Sequence, residues 1–259
     1  MPYLGEHSIS QIGFDILNND IHEESLETLD FNNYDVVLFP ISGLNDKMEI
    51  KTEQGFLKLS NNLFKNLNTS SIFFTGLKTD NLLKYISESQ LISFLDFEEV
   101  ENVNNELTVE GTLADIKDKK ADSVCVIGYG RLGKELYWRL TDSGIKTFII
   151  SRPKELIFND KVTNYYPITD KNILEVFKVC DIVINTIPYN IIPEEVFSCE
   201  YVPYILDIAS FPYGVNQEII GKYKDLKKYK LYLGIPSKYA PKEASDILLK
   251  TFKKVIDVK

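Results

Sequence analysis

The sequence predicts an α/β protein. It has a Rossmann doubly wound parallel sheet, a smaller, shortened N-terminal α/β domain, and a C-terminal helix that packs back across the junction. Three observations carry this expectation. A glycine fingerprint lies between an apolar run and an amphipathic stretch, from Ser123 to Leu136. Short apolar runs then alternate with helical patterns as far as Leu233. Earlier in the chain, two apolar runs each end in a turn signal, Pro40-Ile41-Ser42-Gly43 and Thr75-Gly76. Strand–helix alternation of this kind favours a parallel sheet with crossover helices.

The fingerprint comes first because it is the most informative. Val124, Cys125, Val126 and Ile127 read as a buried strand, and Leu132, Leu136 and Leu140 as one face of a helix. Between them Gly128, Gly130 and Gly133 make G-x-G-x-x-G. The first glycine permits the turn, the second lets backbone approach a pyrophosphate, and the third lets helix and strand pack closely. The helix N terminus faces the phosphate charge. Gly128, Tyr129, Gly130, Arg131, Leu132 and Gly133 are therefore expected to bind a dinucleotide. The structural alternative is a tight strand–helix turn in some other α/β protein.

Six strands are expected in this part: Ser123–Gly128, Thr147–Ser151, Asn164–Ile168, Asp181–Thr186, Tyr204–Ile208 and Lys230–Leu233. In the first hundred residues, Tyr34–Phe39 and Ser71–Thr75 are strand candidates and Asn81–Ser87 a helical one. The polar segment Ile116–Asp122 reads as the start of a new domain. Apolar residues at helical spacing (Ala244, Ile247, Leu248, Phe252, Ile256) predict a helix over Pro241–Val258. The expected division is residues 1–107 with 240–259 as a substrate or partner domain, and 108–239 as the nucleotide domain.

The end of the second nucleotide-domain strand bears on the choice of cofactor. An acidic residue there would hold the ribose hydroxyls of NAD. The segment reads Ile150-Ser151-Arg152-Pro153-Lys154, with no carboxylate before Glu155. Ser151 and Arg152 suit a 2′-phosphate, which favours NADP while leaving NAD possible. Arg152 as a solvated surface charge is the alternative. Asn185, Thr186, Ile187 and Pro188 follow the fourth strand, and Asp207, Ile208 and Ala209 follow the fifth. Ligands lie outside such strand ends in an open parallel sheet. Asp207 is either a group that orients substrate or water, or a loop-bracing carboxylate.

Composition narrows the partners. The chain has 259 residues, with 29 Lys and Arg against 38 Asp and Glu, a net charge of −9. That argues against nucleic acid, which needs clustered positive charge. No secretory signal or membrane span is read. The odd cysteine count (Cys125, Cys180, Cys199) suits a reduced cytoplasm. His7 and His22 are the only histidines, so no metal site of the usual His/Cys type is expected.

Further pieces narrow the family. They are VLFPISG (Val37–Gly43), TVEGT (Thr108–Thr112), VIGYGRLG (Val126–Gly133), DIVINTIP (Asp181–Pro188), LDIAS-x-P-x-G (Leu206–Gly214) and GIPSKYAPKEA (Gly234–Ala244). In that order they resemble the A subunit of bacterial dipicolinate synthase, from about residue 30 onward. The resemblance implies NADP-dependent oxidation of dihydrodipicolinate to dipicolinate in a sporulating bacterium, in the mother-cell cytoplasm, with a flavoprotein-like B subunit. Members of that family usually begin with a further strand and a glycine-containing turn. This chain is expected to begin late, near Ser8–Asp15, with that first unit absent or replaced.

A dicarboxylate substrate needs donors and positive charge. Candidates are Lys242, the backbone N–H groups around Ser42 and Gly43, and Thr108. Glu110 is the candidate proton acceptor. The alternatives are a solvated first-turn Lys242 and a Glu110 that begins the linking helix, where a carboxylate favours the dipole. Glu110, Lys242 and Asp207 are thus the expected catalytic residues. A homo-oligomer is expected. A D-2-hydroxyacid dehydrogenase usually needs a histidine near the last nucleotide-domain strands, and none follows residue 22. Alanine- and shikimate-dehydrogenase relatives rest on fold analogy alone. A non-catalytic protein that binds nucleotide and regulates a partner is the reading of a different class.

Overall fold

The computed structural model describes residues 30–52, 55–153, 159–222 and 228–257. The late start near Ser8–Asp15, both histidines, Lys154 and Glu155 lie outside the described residues. The chain divides into two compact units, residues 1–104 with 240–259 and residues 105–239.

The first unit holds a parallel sheet of β1 (Val36–Leu38), β4 (Ile72–Thr75) and β5 (Leu91–Ser93), with β4 central. A hairpin, β2 (Glu49–Thr52) and β3 (Gly55–Lys58), and a short helix, α1 (Asp80–Tyr85), complete it. The period-2 rule assigns the sheet faces. Val37, Phe39 and Phe73 join Phe31 and Phe64 in one cluster. Leu38, Ile72 and Phe74 join a second cluster with Leu248 and Phe252. Those last two lie on the C-terminal helix Pro241–Asp257, whose Phe252 ring is 5.0 Å from that of Phe74. The expected terminal helix therefore belongs to the first unit, although the whole nucleotide domain separates it in sequence from the strands it covers.

A long helix, α2 (Glu98–Ile116), contains the unit boundary at Asn104. Glu98, Glu99 and Glu101 occupy its first turn, where carboxylates suit the helix dipole. Glu110 lies well inside α2, so the alternative in which it begins the linking helix is corrected.

The second unit is a six-stranded sheet: β6 (Ser123–Ile127), β7 (Lys146–Ser151), β8 (Tyr165–Pro167), β9 (Ile182–Asn185), β10 (Tyr204–Asp207) and β11 (Tyr229–Leu231). Their spatial order is β11-β10-β9-β6-β7-β8, and every pairing is parallel. This is the doubly wound Rossmann order, with its switch point between β6 and β9. Helices α3 (Arg131–Asp142), α4 (Asp170–Phe177), α5 (Gln217–Lys222) and α6 (Ile235–Tyr239) connect or follow the strands, and Pro241–Asp257 is α7.

All five residues of β6 are buried, as a strand covered on both faces requires. Cys125 and Ile127 point into the layer with α4, beside Ile173, Val176 and Phe177. Val124 and Val126 point the other way, toward Leu136 and Leu140 of α3 and Val109 and Ile116 of α2. Gly111 explains how close α2 comes to α6: a Cβ there would lie 2.4 Å from Ile235 Cγ2 and 2.9 Å from Tyr239 Cβ.

Candidate dinucleotide site

The glycine loop is held by three different constraints. Gly128 adopts φ +105, and its N–H donates to Ile150 O at 2.8 Å. An added Cβ would sit 2.3 Å from Thr186 Oγ1. That hydroxyl donates to Ile127 O at 2.8 Å, so it cannot simply swing away. At Gly133 an added Cβ would sit 2.2 Å from Gly128 O, which locks the first turn of α3 against the loop. Gly130 differs. It is the N-cap of α3, it carries no side-chain cap, and an added Cβ would meet nothing within 4 Å. The loop thus leaves open space in front of the uncapped N–H groups of a 12-residue helix. That cradle fits an anionic pyrophosphate.

Ser151 ends β7 and is buried, and Arg152 beside it is exposed. Tyr165 Oη donates to Ser151 O at 3.3 Å, as does Ile168 N at 3.2 Å, which fixes the strand end. Among the described residues of the β7–β8 connection the one carboxylate is Asp160. It pairs with Lys134 Nζ at 2.8 Å and accepts from Tyr129 Oη at 2.9 Å. The Lys134 hydrogen bond, followed by that of Tyr129, holds the Asp160 carboxyl below its usual range against partial burial. Tyr129 is itself 1% exposed, and burial first, then Asp160, pushes its phenol well up. Of Tyr129, expected at the cofactor, only the main chain faces the cradle, because its ring lies in the core with Val126 and Leu136.

The strand ends across the switch point are braced internally. Asn185 Nδ2 donates to Ile187 O at 3.0 Å and to Asp207 Oδ1 at 2.9 Å, while its Oδ1 accepts from Ile187 N at 3.1 Å. Asp207 is fully buried. Its Oδ1 also accepts from Ala209 N at 3.2 Å, and its Oδ2 from Gly214 N at 2.7 Å and Tyr229 Oη at 2.9 Å. Four donors fill both oxygens, so Asp207 is a loop brace and its expected catalytic role is corrected. The side chains of Asn185 and Thr186 are likewise bonded within the turn. Half-buried Ile187 and Ile208, buried Ala209 and exposed Pro188 remain at this edge.

Two bracing residues went unread in the sequence. Gly214 is required because a Cβ there would lie 2.4 Å from Asn185 Nδ2. Tyr229 supplies the fourth bond to Asp207, and its phenol is driven upward by burial first and by that carboxylate second. The glycine in LDIAS-x-P-x-G was the available signal; nothing local marks Tyr229.

The remaining candidates fall in two places. Ser42, Gly43 and Lys242 belong to the first unit, whereas Thr108 and Glu110 are half-buried positions of α2 in the second. Gly43 has φ +69 and its N–H donates to Pro40 O at 3.0 Å, so this expected substrate donor closes a turn instead. Ser42 is exposed. Lys242 is exposed on the first turn of α7 and pairs with Asp246 at 2.6 Å, which raises its pKa. Arg139 is held charged first by its 2.8 Å bond to Glu135, with weaker contributions from the nearby Glu110 and Glu106 carboxylates. Among the described residues no cluster of His, Cys, Asp or Glu could hold a metal ion. Nor is any helix among them long and apolar enough to cross a membrane.

Comparison with known proteins adds to this geometry. Residues 5–94 match the family model for the N-terminal domain of the dipicolinate synthase A subunit. The dipicolinate synthase A subunit from Bacillus halodurans superposes with a TM-score of 0.77 at 20% identity, covering 98% of this chain and 96% of that one. Its counterpart from Bacillus subtilis gives 0.69 at 21% identity, over 98% and 93%. Escherichia coli D-lactate dehydrogenase gives 0.53 at 10% identity, over 97% and 92%. No curated protein matches. These likenesses show a two-domain dehydrogenase fold. The family model and the first two structures support the resemblance to the A subunit of dipicolinate synthase.

Proposed function

We propose that the chain is the A subunit of a dipicolinate synthase, oxidising dihydrodipicolinate to dipicolinate with NADP. The observation that carries the cofactor half is the contrast among the three glycines. Gly128 and Gly133 are filled by protein, and Gly130 alone opens onto empty space at a helix N terminus. The second half of the reading rests on the family model over residues 5–94 and on the ordered motifs.

In this reading the N–H groups of Gly130, Arg131 and Leu132 hold the pyrophosphate. Ser151 and Arg152 receive a 2′-phosphate, and Ile187, Pro188, Ile208 and Ala209 line the apolar end. When bound, the nicotinamide supplies hydride acceptance. The chain must align the dihydropyridine ring, screen it from water and take up the proton released as the ring becomes aromatic. Glu110 is the proton acceptor that we assign, and Lys242, Ser42 and Thr108 serve the two carboxylates. A homo-oligomeric state, the mother-cell cytoplasm of a sporulating bacterium and a flavoprotein-like B subunit complete the proposal.

The test mixes purified protein, alone and with its B subunit, with freshly made dihydrodipicolinate and NADP. Reduced cofactor and dipicolinate absorbance should rise together. One observation favours a second reading, in which the chain binds nucleotide and regulates a partner without catalysis: Asp207 and Lys242 both have internal partners. Cofactor binding with neither product formed would select it.

A further inference from the structure

Two of the most exposed large side chains in the second unit stand on adjacent loops at one edge of its sheet. Tyr189 is 68% exposed and follows β9; Phe211 is 73% exposed and follows β10. Both loops lie at the C-terminal ends of their strands, the edge at which open parallel sheets take ligands.

These loops are firmly joined. With its amide assigned so that nitrogen faces the two carbonyls, the Asn190 side chain donates to Pro212 O at 3.0 Å and to Tyr213 O at 3.3 Å. Ile191 N and Ile192 N both donate to Gly214 O at 2.9 Å, and Gly214 N is tied to the buried Asp207. The Phe211 ring stands edge-on to Tyr213 at 5.6 Å and 90°. Rigid loops thus hold two large rings out in water, where each forgoes the burial that normally stabilises an aromatic side chain. Persistent apolar surface beside a ligand edge marks recognition.

We propose that Tyr189 and Phe211 form an aromatic rim that stacks on the flat pyridine ring of the dicarboxylate product. The inference deepens the function proposed above and rests on it. The ligand of that reaction passes from a dihydropyridine to a fully conjugated pyridine, and only a flat, conjugated ring stacks on aromatic faces with geometry-specific attraction. A saturated ring bearing the same two carboxylates is puckered and gains little from such faces. The rim therefore discriminates by planarity, while the carboxylates are held by other groups.

The test is calorimetric titration of the protein saturated with NADPH, which together with dipicolinate makes the product complex. Dipicolinate and cis-cyclohexane-1,3-dicarboxylate, a saturated ring with the same two carboxylates and no basic nitrogen, are compared on wild type, Phe211→Ala and Tyr189→Ala. Each alanine should weaken dipicolinate about tenfold and leave the saturated diacid nearly unchanged. NADPH affinity and Tm should hold, since both side chains are exposed, and Phe211→Tyr and Tyr189→Phe should keep tight binding. Equal loss for both diacids, or no loss, overturns the rim. A loss of NADPH affinity would give the rings to the nicotinamide, and a loss confined to assembly with the B subunit would give them to the partner; either overturns it. A wild-type protein that binds neither diacid removes the function and the rim together, whereas indifferent alanine variants of a binding protein remove the rim alone.

Discussion

Gly130→Val separates cofactor binding from folding, because the space it fills belongs to no part of the chain. Backbone at Gly130 lies at φ −88 and ψ −166, an extended conformation open to any residue. An added Cβ meets nothing within 4 Å. The folding cost is therefore only that of valine at an N-cap, about 0.5–1 kcal/mol relative to glycine. The binding cost is larger. A pyrophosphate that can no longer approach loses at least two charge-assisted N–H bonds, each worth about 1.5–3 kcal/mol, so affinity should fall by about a hundredfold or more. Gly133→Val provides the opposite control. Its Cβ would lie 2.2 Å from Gly128 O, a backbone atom that cannot rotate away. Overpacking of that kind costs about 1–3 kcal/mol, so this variant should lose stability as well as binding. The assays are NADPH fluorescence titration and thermal melting on each variant. Gly130→Val binding NADPH within about threefold of wild type would refute the cradle, given the hydrogen bonds at stake.

Other substitutions probe the strand ends. Arg152→Ala should weaken NADP by about tenfold or more while sparing NAD, because a guanidinium–phosphate bond is lost only with the former; an equal loss for both cofactors would remove Arg152 from the phosphate site. Asp207→Asn should destabilise the nucleotide domain by about 3 kcal/mol in urea, since an amide nitrogen then faces buried donors. The Asp181 carboxyl is held below its usual range, first by the Ser123 hydroxyl and then by backbone N–H groups of Ser123 and Asp122. A depressed folded-state pKa stabilises above the unfolded value and is lost as pH falls through the folded one. Ser123→Ala should therefore lower Tm at neutral pH, and the deficit should shrink as pH falls and the carboxyl becomes protonated in both proteins. Lys242→Ala should raise KM for the dicarboxylate with NADPH affinity unchanged; an unaltered KM would leave Lys242 as the partner of Asp246 alone.

Legibility of this chain in its sequence depended on which force set each element. Strands β6, β7, β9 and β10 could be read because burial on both faces demands near-continuous apolar runs such as Ile182–Ile184, whereas β8 and β11 are partly buried edge strands. The hairpin of β2 and β3 could not, since its GFLK strand is largely exposed and shows no alternation. Strand β5 also went unread, since no glycine or proline turn signal bounds its short LIS run. Helix α2 hid for another reason: apolar Val100 belongs to one cluster and Val109 and Ile116 to another, so no single stripe runs along it.

The same reasoning separates the parts of the candidate site. Glycine positions are legible because the requirement sits in the residue itself: positive φ at Gly128 and close contact at Gly133 exclude a side chain, while Gly130 leaves its space open in front of the helix N terminus. A carboxylate carries no such mark. Asp207 has the residue type, the strand end and the motif of a catalytic group, yet four donors from positions 185, 209, 214 and 229 saturate it. Whether an acid acts on a ligand or on its own loops is a count of donors in space, and two of those four arrive from the far sides of a connection and of a neighbouring strand. Tyr189 and Phe211 reverse that logic. Their loops need the Asp207 brace to stay rigid, so a carboxylate with no oxygen left for chemistry is the group that holds the rim in place.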